Sequence, residues 1–155
     1  MYYLFDEEIT VESVNNLMEK LEGQEDINLW FSTHGGLTSA MRCLVEFFNS
    51  LKGNIKITLT NCLCSAGVDL LLDYKGSLTY KDLDYILIHK GDRQTYNFRK
   101  DDCIDEKILL AQDKKENKRY FKKLKKLGLT EKQLKRFKQG RDVVLYENDY
   151  HLINL

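Results

Sequence analysis

Ile55-Lys56-Ile57-Thr58-Leu59-Thr60-Asn61-Cys62-Leu63-Cys64-Ser65-Ala66-Gly67 is the stretch on which the fold turns. Its first six residues alternate apolar and polar, the period of a strand. Asn61 to Ser65 then reads as a turn of small residues. Ala66-Gly67-Val68-Asp69-Leu70-Leu71-Leu72 follows as a short, largely buried helix. A serine where a strand gives way to a helix sits beside the positive end of the helix dipole. Two readings of Ser65 follow from that position: a nucleophile, or a cap for the N–H groups of residues 67 or 68.

Toward the N-terminus the pattern repeats. Leu4-Phe5 reads as an edge strand. Thr10 caps a helix with Val14, Leu17, Met18 and Leu21 on one face, ended by Gly23. Ile27-Asn28-Leu29-Trp30-Phe31 reads as a mostly buried strand, followed by the turn Ser32-Thr33-His34-Gly35-Gly36. A second amphipathic helix carries Ala40, Met41, Leu44, Val45, Phe48 and Leu51, and Gly53 stops it.

Toward the C-terminus, Ser77-Leu78-Thr79-Tyr80 and Tyr85-Ile86-Leu87-Ile88 read as two short strands, the second ending on His89. A long charged helix is expected over 102–127, with Ile104, Ile108 and Ala111 on one face and then Tyr120, Phe121, Leu124 and Leu127. Leu134 and Phe137 mark one more helix, and Val143-Val144-Leu145 a last strand. Strands alternating with helices argue for an α/β fold of βαβ units with parallel pairing. The 155 residues contain no proline and no low-complexity linker, so a single domain over 1–155 is expected, with a core over 2–91 and a helical segment over 102–140.

The turns at Gly35-Gly36, Ser65 and His89 each follow a predicted strand. Ligands of open α/β sheets bind beyond the carboxyl ends of the strands, so these turns can converge on one site. Serine needs a base to become a nucleophile, and an imidazole supplies one. The oxyanion that forms needs preorganised backbone N–H donors, which a glycine pair can present without a Cβ in the way. Cys64 beside Ser65 is a second candidate nucleophile, with His89 as its partner.

These turns resemble the proteolytic subunit of the Clp protease. Residues 27–36 are similar to its "I-x-L-x-I-N-S-P-G-G" strand and turn. Asn61-Cys62-Leu63-Cys64-Ser65-Ala66-Gly67 resembles its "G-x-A-A-S-M-G-A" nucleophile turn, and Tyr85-Ile86-Leu87-Ile88-His89 its "x-R-V-M-I-H-Q-P" strand. The 29 positions from Gly36 to Ser65 agree with the family pattern, and the 24 from Ser65 to His89 are within one residue of it. The resemblance implies a ClpP/crotonase-like spiral of βαβ units. It also implies a serine peptidase, with Ser65 as nucleophile, His89 as general base, and the N–H groups of Gly36 and Ala66 as the oxyanion hole. Peptide or unfolded-protein substrates, a homo-oligomer and an ATP-dependent unfoldase partner are implied in the same way, and no cofactor.

The family's third member is an acid, and there the sequence departs. Counting on from His89 without gaps reaches Lys138; Asp142, one helical turn later, is the nearest acid and the candidate for that role. His34 stands in place of the proline of S-P-G-G, and Ala66 in place of the methionine after the serine. Two other readings stay open: a non-catalytic assembly or binding module that keeps the fold, and a crotonase-type acyl-CoA enzyme. The Ser65 and His89 pair argues against the latter, which does not need it.

Charge is distributed unevenly around a net value of zero. Residues 114–141 carry 13 basic and 2 acidic residues, while residues 1–113 carry 11 basic and 19 acidic. The lysines of 114–141 surround the stripe of Tyr120, Phe121, Leu124 and Leu127, which favours a solvated face, or one that meets the acidic part of another subunit, over a nucleic-acid surface; the resemblance implies an assembly element. Met1-Tyr2-Tyr3-Leu4-Phe5-Asp6 has no basic n-region, and no apolar run reaches the roughly 18 residues of a membrane span. A cytoplasmic protein is expected. No metal site is expected either: Cys62 and Cys64 are not spaced as C-x-x-C, and no histidine adjoins a cysteine in sequence.

Overall fold

In the computed structural model the backbone is described for residues 1–90 and 106–155, with side chains from 114 onward in the second stretch. Five strands form one sheet in chain order: β1 (Tyr2–Asp6), β2 (Asp26–Thr33), β3 (Asn54–Cys64), β4 (Leu78–Ile88) and β5 (Val143–Leu145). The first four are parallel, as the βαβ reading requires, and β5 runs antiparallel to β4. Helices α1 (Val11–Leu21) and α2 (Thr38–Ser50) make the first two crossovers; α3 (Asp69–Asp73) follows β3. Then come α4 (Glu106–Leu127), α5 (Glu131–Lys138) and a 3-10 segment, Glu147–Ile153, which the sequence did not announce. The expected helix residues 102–105, and the side chains of Ile108 and Ala111, lie outside the described residues.

The capping signals act as expected. Thr10 Oγ1 accepts from the Ser13 N–H at 3.0 Å, and Ser13 Oγ accepts from the Thr10 N–H at 3.0 Å, so α1 starts on a reciprocal box. Its buried face, Val14, Leu17 and Leu21, meets the α2 face of Met41, Leu44, Val45 and Phe48 in one core with Leu29, Phe31, Ile57 and Leu59 from the sheet.

Three expectations change. Through Phe31, β2 is buried on one face: Ile27, Leu29 and Phe31 are in the core, while Trp30 is 38% exposed; only the strand's end, Ser32 and Thr33, is buried on both. The stretch from Asn61 is no turn, because β3 runs on to Cys64. It bulges instead. Phe31 pairs with Leu59 but Thr33 with Leu63, so β3 spends two more residues than β2, and Asn61 takes up the excess at φ +51°. Asparagine tolerates that left-handed conformation, and bulges are a common way to re-aim a side chain at a strand end. Likewise, the two strands expected around Asp82 and Asp84 are one strand, β4, whose register against β3 slips between Tyr80 and Tyr85, with Asp82 at φ +52°.

The apolar stripe of the basic helix is used within the chain. Leu124 is buried, the Tyr120 ring packs 5.7 Å from that of Phe137 on α5, and Lys138 Nζ lies 4.5 Å over the Phe121 ring. Lys123 Nζ bonds Asp73 at the end of α3 at 2.6 Å.

Candidate active site

β2, β3 and β4 end side by side, and their last residues deliver Thr33, Cys64 and Ile88 to one rim of the sheet. The next residues are those singled out by chemistry. Ser65 opens a 3-10 turn, Ser65–Val68, at φ +53°, a conformation that costs a non-glycine residue about 1–3 kcal/mol. The turn throws the side chain toward β4. There the Ser65 hydroxyl lies 2.7 Å from His89 Nε2, good hydrogen-bond geometry. With the hydroxyl as donor, His89 carries its own proton on Nδ1. Both residues are half-buried, open enough for a ligand and closed enough to limit water.

The capping reading of Ser65 does not hold: residue 64 occupies the cap position with no side-chain bond, and the Ser65 hydroxyl is engaged with His89. Nor is Cys64 a ready nucleophile. Burial, and next the neighbouring Cys62, push its thiol up to about 11, far from the thiolate that would attack.

The glycine pair passes directly beneath Ser65. A Cβ on Gly35 would stand 2.6 Å from Ser65 Cβ, and one on Gly36 would run into the Ile9 carbonyl. Gly35 and Gly36 have φ of +109° and +140°, so side chains are excluded by conformation as well as by space. Ile9 clasps the pair from outside: its N–H donates to the Gly35 carbonyl and its carbonyl accepts from the Leu37 N–H, each at 2.8 Å. The Gly36 N–H takes part in neither bond. The Ala66 N–H lies in the first turn of the 3-10 segment, where N–H groups lack intrahelical acceptors. The N–H groups of Gly36 and Ala66, the two expected oxyanion donors, are thus not spent in those contacts.

Thr33 is a positioning residue that the sequence reading passed over. Its Oγ1 accepts from the Gly35 N–H at 3.0 Å and donates to the Glu7 carbonyl at 2.8 Å, fixing the glycine turn to the loop after β1. A buried threonine two residues before a glycine was the available signal.

The third expected member is not gathered in. Val143 pairs with Ile88, so one further step in that antiparallel register sets Asp142 opposite His89. Yet among the described residues the carboxylate of Asp142 makes no bond to the imidazole; its carbonyl accepts from Arg136 Nε and Nη2, both at 3.2 Å. Lys138, at the acid's expected position, is exposed, and its carbonyl accepts from Lys90 Nζ at 2.8 Å.

A second acid lies close by. Asp69, four residues after Ser65, is buried, and its Oδ2 has no hydrogen-bond partner among the described residues. Arg42 Nε stands 3.7 Å away, while Arg42 Nη2 bonds Glu116 of α4 at 2.8 Å. Burial pushes the Asp69 carboxyl up to about 6, against the opposing pull of Arg42.

Sheet and crossovers together make an α/β fold of the ClpP/crotonase-like kind. Among solved structures, the fold is similar to that of a ClpP1 point mutant from Listeria monocytogenes, with a TM-score of 0.72 over 99% of this chain and 88% of that one, at 18% identity. No protein-family model matches the sequence, and no curated protein does. No described helix is long and apolar enough to cross a membrane.

Proposed function

We propose that this chain is a Clp-type serine peptidase in which Ser65 attacks the scissile carbonyl and His89 takes its proton. The observation that carries the reading is the 2.7 Å contact between Ser65 Oγ and His89 Nε2. In that geometry the hydroxyl proton passes to Nε2 as the oxygen bonds to carbon, and the same imidazolium then protonates the leaving amine. The carbonyl oxygen, now negative, is received by the Gly36 and Ala66 N–H groups. Water repeats the sequence on the acyl-enzyme and restores Ser65.

Substrates on this reading are peptides or unfolded segments, and the working form is a homo-oligomer in the cytoplasm. Support for assembly comes from the outer face of the sheet. Parallel sheets are ordinarily covered on both sides, yet Tyr2 and Leu4 are 79% and 68% exposed there, beside Trp30. A second copy would cover them. An ATP-dependent unfoldase partner rests on likeness to the family alone.

One observation favours a non-catalytic relative that keeps the fold as a binding module: the bond missing between Asp142 and His89. Labelling with a serine-directed fluorophosphonate, followed by adduct mapping, separates the two readings. The expected result is a single adduct on Ser65, abolished in Ser65→Ala while assembly is retained. Absence of an adduct in folded, assembled protein would leave the binding module as the function.

A further inference from the structure

Cys62 and Cys64 are two residues apart at the end of β3, so their side chains leave the strand on the same side. Both are buried, 3% and 5% exposed. The neighbouring strand delivers a histidine to them. His34, one residue beyond β2, lies with its Nδ1 3.5 Å from Cys62 Sγ. The donor atoms of His34, Cys62 and Cys64 all fall within 4.8 Å of one another.

We infer that His34, Cys62 and Cys64 form a binding site for a thiophilic d10 cation of the Zn2+ type. The distances are those of such a site. Zinc takes sulfur at about 2.3 Å and imidazole nitrogen at about 2.05 Å in tetrahedral array, which sets nitrogen-to-sulfur edges of about 3.6 Å and sulfur-to-sulfur edges of about 3.8 Å. The His34–Cys62 edge already has that length. Closing the third corner requires a movement of about 1.2 Å at most, within reach of a cysteine rotamer change. Two thiolates and one imidazole suit zinc and exclude hard cations such as Mg2+ and Ca2+, which take oxygen.

The site has an entrance and an open position. His34 is exposed, so the cation arrives on the imidazole and then meets the buried sulfurs. Three protein donors leave a fourth corner for water, and Tyr85, the strand partner of Cys62, stands beside both thiols. On binding, two S–H bonds are lost, two metal–sulfur bonds form, and two protons go to solvent. His34 directly precedes the glycine pair, and Cys64 directly precedes Ser65. A cation held by both ties the two turns of the candidate active site together. Binding itself does not depend on Ser65 being a nucleophile.

Co2+ serves as the spectroscopic probe, titrated into the reduced, chelator-treated full chain. The expected result is one equivalent bound with thiolate-to-metal charge transfer and the intense visible bands of tetrahedral Co2+, all displaced by Zn2+. Cys62→Ser, Cys64→Ser and His34→Ala should each weaken binding about 100-fold or more, as loss of a direct ligand exceeds the effect of an outer-shell partner. Cys43→Ser and His89→Ala should leave Co2+ affinity and spectrum as in the wild type, because Cys43 is exposed and outside the cluster and His89 faces Ser65. A wild-type chain without charge-transfer absorption overturns the assignment, as does a spectrum lost in Cys43→Ser. His34 is exposed, so His34→Ala preserves the fold. Unchanged Co2+ affinity in that variant overturns the site even where the cysteine variants fail to fold.

Discussion

Residues 1–90 and residues 106–155 are built on different principles. In the first region, four parallel strands bring three turns together, and each turn is pinned by short backbone or side-chain bonds: Ile9 to Gly35 and Leu37, Thr33 to Gly35 and Glu7, Ser65 to His89. In the second, two basic helices lie against that frame through a few side chains, chiefly Leu124, Lys123 to Asp73, and Glu116 to Arg42. Only the three-residue β5 joins the sheet. The candidate nucleophile and base therefore follow long parallel strands, bulged but paired to their ends, whereas the candidate acid depends on one short antiparallel ladder and a helix ending just before it. The difference explains how a well-formed Ser65–His89 contact coexists with an Asp142 carboxylate that makes no bond to the imidazole among the described residues.

The sharpest way to break this comparison is to remove the base. His89→Ala should slow fluorophosphonate labelling of Ser65 by about 10³-fold, the scale of general-base assistance, with little change in melting temperature. Labelling at the wild-type rate would mean that the first region does not activate its serine.

The junction between the regions gives the next effect. Asp69 has a folded-state value raised to about 6 from an ordinary 3.8, so its contribution to stability is full below about pH 4 and is lost as pH rises through 6. Asp69→Asn should accordingly stabilise the protein at pH 7, on the order of 2 kcal/mol, and leave it unchanged near pH 4. Denaturant unfolding of both proteins at the two pH values measures this. A destabilised variant at pH 7 would show that the Arg42 pairing outweighs the cost of burial.

The smallest expected effect probes the second region alone. Asp142→Asn should lower turnover of a peptide substrate about tenfold, well short of the 10⁴-fold cost of losing a fully engaged orienting acid. Asp149→Asn, in the final 3-10 segment, should leave it unchanged. Equal rates in the two variants would remove Asp142 from the mechanism and make Ser65 and His89 a dyad.

Much of the first region was legible in its residues. Alternation at Ile55–Thr60, the helical stripes Val14 to Leu21 and Ala40 to Leu51, and the placement of Gly36, Ser65 and His89 after strands are all local signals, with a period of two or near 3.6. The bulge at Asn61 was not legible, since a small-residue run looks the same whether a chain turns or slips its register. The continuous β4 was missed for a related reason: Asp82 and Asp84 suit a turn locally, and pairing with β3 overrides that preference.

Local pattern was enough for the alternating α/β order, the parallel pairing, and the placing of Ser65 and His89, the candidate nucleophile and base, directly after strands. These rest on periodicity and on the geometry of strand ends, which a chain carries in its local pattern. Tertiary structure alone decided that β5 turns antiparallel and sets Asp142 opposite His89 without bonding it, that Asp69 is buried short of a partner, and that His34 meets Cys62 and Cys64. Each of those depends on the register between segments distant in the chain, and register is settled by the packing of the whole core rather than by any one stretch of it.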